Sequence, residues 1–136
     1  APDMREADAG EVWASGHLSP LEALTVSLAL SPLAWTAMLD GAPVFMWGMG
    51  STGLLSSTGV PWFLGTDRMY VARYAIARRS KEYLDRMLDL CPRLINYVDA
   101  RNAATLRWLA WCGFDIADPE PYGAENMPFR RIEMVR

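Results

Sequence analysis

The chain has 136 residues, of which 51% are hydrophobic and 21% charged, and its formal net charge is -3. This length predicts a single domain, residues 1–136, with enough apolar side chains to bury a core. The acidic balance argues against a nucleic-acid binder, because such proteins usually carry a basic excess. No apolar run is long enough to span a bilayer and no secretory signal opens the sequence, so we expect a cytoplasmic protein that binds no membrane.

The first predicted elements are a helix and a hairpin. Ser19, Pro20 and Glu22 match an N-cap, a first helical position and a capping box, so a helix is expected from there to the proline at position 32. A strand is predicted at residues 35–39 and its return at 44–47, joined by Asp40-Gly41, a dipeptide typical of tight hairpins.

The middle of the chain predicts a loop, a strand and a long helix. Residues 48–58 are rich in Gly and Ser and indicate a loop. Residues 60–64 form a strand, in which Pro61 favours an edge or a bulge. The helix is expected over residues 69–90, with Thr66 or Asp67 as its cap.

The last third alternates strands with one short helix. Residues 94–98 predict a buried strand, and residues 102–112 a helix that Gly113 ends. Strands are expected at 114–116 and 129–135, with a proline-rich loop over 118–128 between them. The order is a mixed α/β one: an antiparallel meander, then a crossover helix between neighbouring strands.

One stretch carries a family resemblance. It comprises Val98-Asp99, Asn102, Leu106-Arg107-Trp108-Leu109 and Gly113-Phe114, and it resembles the end of the GCN5-related N-acetyltransferase (GNAT) superfamily. An Asn opens the penultimate helix there and a Gly-Phe pair closes it. The resemblance implies an α/β fold with a mixed (α+β) sheet, the acyl-CoA N-acyltransferase fold, whose first strand is not recognisable in residues 1–16. The stretch is most similar to acetyltransferase-like proteins of tailed phages, including internal virion proteins of podoviruses, which would place the chain inside a virion.

The same resemblance implies acetyl-CoA as cofactor. In the superfamily acetyl-CoA lies where two neighbouring strands splay apart, here residues 60–64 and 94–98, and its pyrophosphate lies on the loop that opens the long helix, where N–H groups and the helix dipole favour an anion. The residues that the resemblance assigns to the cofactor are Phe63, Leu64, Gly65, Thr66, Arg68, Asn102 and Leu109.

Two departures from the superfamily pattern leave two functions open. The pyrophosphate loop of the family carries several glycines, whereas residues 65–71 contain only Gly65. The tyrosine that many members use as general acid falls at Leu109, which cannot donate a proton. No catalytic residue is assigned, although Asp40, Asp67 and Asp99 are candidate bases at strand ends.

The first hypothesis is an N-acetyltransferase that acts on an amine. The alternative is a non-catalytic GNAT-like domain of a phage or prophage virion protein that binds other structural proteins. A domain that binds CoA without turnover lies between the two. The two cysteines, Cys91 and Cys112, are predicted to be free buried thiols, and no metal-type spacing is present.

Overall fold

The computed structural model describes residues 31–51 and 57–136 of the chain. The described residues form a mixed sheet with the strand order β1-β2-β3-β4-β7-β5, in which β6 also pairs with β7. The mixed α/β fold class is therefore confirmed. In chain order the elements are β1 (Leu33–Leu39), β2 (Ala42–Ser51), β3 (Thr58–Gly65), a 3-10 turn (Asp67–Tyr70), α1 (Arg73–Leu90), β4 (Arg93–Asp99), α2 (Ala103–Cys112), β5 (Asp115–Ile116), β6 (Glu120–Tyr122) and β7 (Met127–Val135).

The predicted hairpin between β1 and β2 is confirmed. Asp40 and Gly41 both have positive φ, 52° and 77°, as a two-residue hairpin turn of the mirror-image type requires. The register of the antiparallel pair shifts between Ala37 and Met38. This bulge lies three residues from the turn and increases the local twist of the hairpin.

The strand β2 is longer than its sequence indicated, and the loop predicted for residues 48–58 is wrong at both ends. Gly48 pairs with Trp62 across the sheet. A Cβ on Gly48 would lie 2.6 Å from the carbonyl oxygen of Leu33 and 2.6 Å from Cζ2 of Trp62. The glycine is needed because the indole of Trp62 covers its backbone. The Gly-rich composition that predicted a flexible loop here therefore belongs to a crowded strand.

The long helix begins later than predicted. Asp67–Tyr70 form a 3-10 turn, and the α-helix starts only at Arg73. Neither Thr66 nor Asp67 caps it, which corrects the sequence prediction. Both the N–H and the hydroxyl of Thr66 donate to the carbonyl oxygen of Val44, at 3.0 and 3.2 Å. The hydroxyl therefore holds the end of β3 against β2 instead of turning toward the helix.

The C-terminal third follows the prediction except for its proline-rich loop. Asn102 is the N-cap of α2, and Gly113 ends the helix in the left-handed conformation with φ 107°. The short strand β6 replaces part of the loop predicted for residues 118–128, and its Pro121 faces Pro128 of β7. Tyr122 of β6 stacks on Tyr97 of β4 at 4.1 Å between ring centroids, and this stacking stabilises a strand that Pro121 weakens.

Both helices contribute to one core. Trp108 of α2 donates its Nε1–H to the hydroxyl of Ser80 in α1 at 3.2 Å, which joins the two helices. Leu94 of β4 and Ile132 of β7 are fully buried in the same cluster. The buried members of this cluster are Met49, Leu84, Met87, Leu88, Cys91, Leu94, Val98, Leu106, Leu109, Phe114 and Ile132.

Neither helix of the described part of the chain is long and apolar enough to cross a membrane. The helix predicted after Ser19 and Pro20, and the question of a first strand within residues 1–16, lie outside the described residues.

The crowding at Gly48 makes a stability prediction. Gly48→Ala is expected to lower the free energy of unfolding by about 1–3 kcal/mol, because the added methyl group overpacks the Trp62 contact. Urea denaturation would measure it. Ala34→Val, which adds methyl groups at an exposed position of β1, is the control. Equal urea midpoints for Gly48→Ala and wild type would contradict the account.

Candidate functional site

The parallel strands β3 and β4 separate after two residue pairs. They pair only at Thr58 with Arg93 and at Gly59 with Leu94. From Val60 onward no residue of β3 pairs with β4, while the pairing with β2 continues to Gly65. The result is a gap that widens toward the carboxyl ends of both strands. The predicted splay between residues 60–64 and 94–98 is therefore present.

The physical cause of the separation is a side chain inserted between the strands. The N–H of Arg93 donates to the carbonyl oxygen of Ser57 at 3.2 Å. In a regular parallel ladder this bond repeats every two residues, so the N–H of Tyr97 would donate to the carbonyl oxygen of Pro61. Instead Tyr97 N–H donates to Oδ1 of Asn96 at 2.7 Å, and Asn96 Nδ2 donates to the Pro61 oxygen at 2.5 Å. The carboxamide of Asn96 thus bridges the two main-chain groups that would otherwise bond directly, and it keeps the strands apart.

Pro61 supports the separation because it has no N–H. Its carbonyl oxygen faces β4, and in an extended strand the nitrogen of the same residue points to the same side. The N–H that Pro61 lacks would have faced β4, so Pro61 leaves no donor unpaired where β3 separates from β4. The prediction that Pro61 occupies an edge-like position agrees with this, although β3 lies inside the sheet.

Successive residues of β3 point their N–H groups alternately toward β2 and toward β4. Val60, Trp62 and Leu64 direct their N–H groups toward β2, and Pro61 has none. Among residues 60–64 only Phe63 points its N–H into the gap. Of the three predicted cofactor residues on this strand, Phe63 borders the gap through its backbone, Leu64 turns its backbone to β2, and Gly65 is the last residue of the strand.

The remaining predicted residues lie at the edge of the sheet where the gap is wide, with one exception. Gly65 ends β3, Thr66 follows it and Asn102 follows β4; the carboxyl ends of parallel strands lie at the same edge of a sheet. Arg68, in the 3-10 turn after β3, lies on the β2 side of that edge, where it pairs with Asp40 of the β1–β2 turn. Leu109 is fully buried in the core. The structure therefore brings four of these predicted residues to one edge and places Leu109 among apolar side chains.

Two helix N-termini lie at that same edge. In α2 the side chain of Asn102 accepts from the N–H of Thr105 at 3.4 Å, so the predicted cap is confirmed. In α1 no side chain caps the first turn and no acidic residue lies in it. The N–H groups of Arg73, Tyr74 and Ala75 make no bond outside the helix within the described residues, and the first turn of a helix supplies no acceptor for them.

The positive charge at the start of α1 is held by aromatic rings. The guanidinium of Arg73 lies 3.9 Å from the ring centroid of Tyr70 and 4.5 Å from that of Tyr74. Its Nη1 donates to the carbonyl oxygen of Tyr70 at 2.7 Å. Arg68 pairs with Asp40 at 3.5 Å, and both side chains are at least half exposed. Such an exposed pair contributes little to stability and leaves Arg68 available to another anion.

The candidate base Asp99 is committed to a structural role. Its carboxylate is almost fully buried and accepts hydrogen bonds from the N–H of Arg101 at 2.9 Å and from the guanidinium, whose Nη2 lies 2.5 Å from Oδ2. These bonds to Arg101 hold the pKa of Asp99 below its ordinary value. A carboxylate with a lowered pKa is a weak base, so Asp99 orders the loop before Asn102 rather than accepting protons.

Titratable groups with chemical activity are otherwise sparse near the gap. Burial raises the pKa of the Cys112 thiol to about 11, and burial raises the pKa of Tyr122 as well. Cys91 and Cys112 are both free, and Cys91 is buried as predicted, whereas Cys112 is only partly buried. Among the described residues no cluster of three His, Cys, Asp or Glu side chains has the arrangement of a metal site.

The rings of Phe63 and Trp108 meet on the helix side of the gap. Their centroids are 5.0 Å apart in an edge-to-face arrangement. This contact could not be predicted from sequence, because the two residues lie on different elements. The contact narrows the approach to the gap from the helices.

The wedge formed by Asn96 predicts a stability difference between nearly isosteric side chains. Asn96→Asp is expected to lower the free energy of unfolding at pH 7 by about 1–3 kcal/mol, because a carboxylate cannot donate to the Pro61 oxygen. Asn126→Asp, in an exposed turn, serves as control and is expected to change it by less than about 0.5 kcal/mol. Urea titrations compare them, and an Asn96→Asp protein as stable as the control would refute the wedge.

The bonds between Arg101 and Asp99 predict a pH dependence. A carboxyl whose pKa is lowered by folding contributes stability above its unfolded pKa, about 3.9, and this contribution is lost as the pH falls through the folded pKa. Asp99→Asn is therefore expected to flatten the decline in stability below pH 4. Urea midpoints at pH 7 and pH 3 would measure this, with exposed Asp118→Asn as control. A slope as steep as that of wild type would rule the account out.

Comparison with known proteins places the fold but not the family. No family model matches the sequence, and no curated protein is similar to it in sequence. In structure the chain is similar to several acetyltransferases.

Three of these solved structures each have a TM-score of 0.66. An IAA acetyltransferase of Bacillus cereus is 11% identical, with 84% of this chain and 83% of that one covered. A Bacillus subtilis acetyltransferase in complex with CoA is 9% identical, with 86% and 84% covered. A GNAT family acetyltransferase of Elizabethkingia anophelis with acetyl-CoA bound is 9% identical, with 85% and 82% covered. The chain therefore has the acyl-CoA N-acyltransferase fold, and the nearer resemblance to phage proteins stays a prediction.

Proposed function

We propose that the chain binds acetyl-CoA in the gap between β3 and β4 and transfers the acetyl group to an amine. The observation that carries this proposal is the gap itself, which Asn96 and Pro61 hold open. Two parallel strands that separate while each keeps its other neighbour expose main-chain groups that side chains, water or a ligand can pair.

The wide end of the gap suits the phosphates of CoA. Phosphates bind at helix N-termini because free N–H groups and the helix dipole favour negative charge. The first turn of α1 offers the N–H groups of Arg73, Tyr74 and Ala75, with no acidic side chain in that turn. Arg68 adds a guanidinium, which forms charge-assisted bonds with phosphate. These groups compensate for the glycines that the loop lacks.

The thioester would lie deeper, beside Phe63. The N–H of Phe63 is the one main-chain donor of residues 60–64 that faces the gap, so we assign it to the thioester carbonyl oxygen. A donor fixed in a strand stabilises the negative charge that develops on that oxygen when an amine attacks. The new C–N bond forms as the C–S bond breaks, and the amine proton leaves to solvent because no described base lines the gap.

A second candidate function is a non-catalytic domain that acts through protein contacts. Three observations favour it: Leu109 is buried where the superfamily has a tyrosine, Asp99 is committed to Arg101, and Phe63 contacts Trp108 on the helix side of the gap. The proposed phage or prophage virion context belongs to this candidate.

Calorimetric titration with acetyl-CoA separates the two candidates. Acetyl-CoA is expected to bind with micromolar affinity, and Arg68→Ala to weaken binding about tenfold or more, because a hydrogen bond to a charged group contributes about 1.5–3 kcal/mol. Arg86→Ala, at the other end of α1, is the matched control and should leave affinity unchanged.

The outcome decides which function survives. Binding that Arg68→Ala weakens and Arg86→Ala does not supports the cofactor site and justifies a screen of amines for CoA release. No detectable heat at millimolar acetyl-CoA, from protein that unfolds cooperatively in urea, would overturn the acetyltransferase proposal and leave the non-catalytic domain.

A further inference from the structure

A cavity of about 500 Å³, half open to solvent, lies between α1 and the strands β1–β3, and Phe63 and Trp108 border it on the side of the gap. Its volume is within the range of small-molecule sites, about 300–1,000 Å³. Exposed side chains, among them Met38 and Val71, form part of its wall, so it is a surface cleft and not a void of the core. The residues around it are Thr36, Ala37, Met38, Leu39, Val44, Phe45, Trp47, Phe63, Val71, Ala72, Ala75, Ile76, Arg79, Ser80, Tyr83, Leu84, Met87 and Trp108.

Aromatic rings form one wall of this cavity. Phe45 lies between Trp47 and Phe63, with centroid distances of 5.3 and 6.4 Å. Trp47 meets Tyr83 of α1 at 4.9 Å, and Phe63 meets Trp108 of α2 at 5.0 Å. The rings thus extend from the sheet onto both helices and contact one another.

The polar groups of the wall need no ligand partner. The hydroxyl of Ser80 donates to the carbonyl oxygen of Ile76 at 2.8 Å and accepts from Trp108 at 3.2 Å. Within the described ranges 31–51 and 57–136, no buried side-chain nitrogen or oxygen lacks a hydrogen-bond partner. Arg79 is exposed, so its charge lies at the rim in solvent. Thr36, Arg79 and Tyr83 add polar groups to the lining, and the aromatic part of the wall fits an aliphatic chain.

Phe63 connects the cavity with the gap. In a strand the N–H lies in the plane of the sheet and the side chain stands perpendicular to it. The N–H of Phe63 faces the gap, while its ring lines the cavity. A thioester carbonyl that accepts from this N–H would therefore have its acyl group beside the ring. The rings of Phe63 and Trp108 are in contact, so a chain that enters the cavity from the gap would displace Trp108 from Phe63.

We propose that the acyl donor is an aliphatic acyl-CoA of medium chain length, with the chain in the cavity under α1 and the thioester at Phe63. This inference rests on the proposed function and replaces acetyl by a longer acyl group in the same reaction. The amine nitrogen forms a bond to the acyl carbon, the C–S bond breaks, CoA leaves as the thiolate, and the amine proton goes to solvent.

The test is a calorimetric titration of the full chain with acyl-CoA esters of two, four, six, eight and ten carbons. The dissociation constant is expected to fall about two- to fourfold for each added methylene until the cavity is full, since each buried methylene is worth up to about fourfold in affinity. Binding of acetyl-CoA measures the affinity of the CoA part that all the esters share. The change in affinity with chain length therefore reports on the cavity alone.

Two variants fill the cavity from opposite walls. Ala75→Phe adds a ring from α1 and Ala37→Phe adds one from β1, and each is expected to abolish the gain with chain length while acetyl-CoA still binds. Ala110→Phe, on an exposed position of α2 outside the cavity, is the matched control and should keep the wild-type slope. Urea denaturation of every variant identifies any that fails to fold, and the other wall then carries the test.

Each outcome bears on a different claim. A rising affinity that Ala75→Phe or Ala37→Phe abolishes supports the acyl site. Equal affinities from two to ten carbons, or a slope that the filling variants leave intact, would overturn the acyl site while the acetyl-CoA proposal stands. Absence of binding by every ester would overturn both.

Discussion

The carboxamide of Asn96, set between two parallel strands, is the interaction on which the rest of the site depends. Strand pairing propagates because each hydrogen bond aligns the next pair of residues. A side chain that occupies one rung stops this propagation, provided that the strand opposite has no donor left unpaired. Pro61 meets that condition. The two residues are 35 positions apart in sequence, and their combination converts a continuous sheet into one with an open wedge.

The parallel direction of β3 and β4 explains why both helices begin at one edge of the sheet. A crossover from β3 to β4 must return over the sheet, and α1 does so from the wide end of the gap to the narrow one. The next crossover, α2, begins at the same end because β4 runs parallel to β3. Hydrogen bonds between Asp99 and Arg101 order the loop that leads to Asn102, and Asn102 caps the start of α2. The electropositive ends of both helices are thereby turned toward one opening.

Local signals predicted much of this architecture. The Asp40-Gly41 turn, the start of α2 at Asn102 and its end at Gly113 are determined by neighbours within a few residues, and all three can be recognised from sequence. The start of α1 was misplaced because Thr66, a good cap by type, bonds to Val44, 22 residues earlier. The sequence predicts a loop at Gly48 because the crowding of this glycine comes from Trp62, which lies on the next strand. Each error arises where a distant contact overrides a local preference.

The site was predictable in outline for the same reason. The resemblance in α2 indicated a splayed sheet and the edge at which ligands would meet it. It could not indicate the wedge, since Asn96 is an ordinary strand residue until Pro61 is placed opposite. It also could not indicate the cavity, which is formed by rings from β2, β3, α1 and α2 that share no local pattern.

The state of the two cysteines has a practical consequence for studying acyl transfer. Only a thiolate attacks disulfide or maleimide reagents. With a pKa of about 11, Cys112 is ionised in about one molecule in a thousand at pH 8, and Cys91 is shielded from solvent by the core. The folded protein is thus nearly silent toward such reagents. A thiol-specific dye would therefore report CoA set free in solution against a low background, with no need to remove either cysteine from the chain.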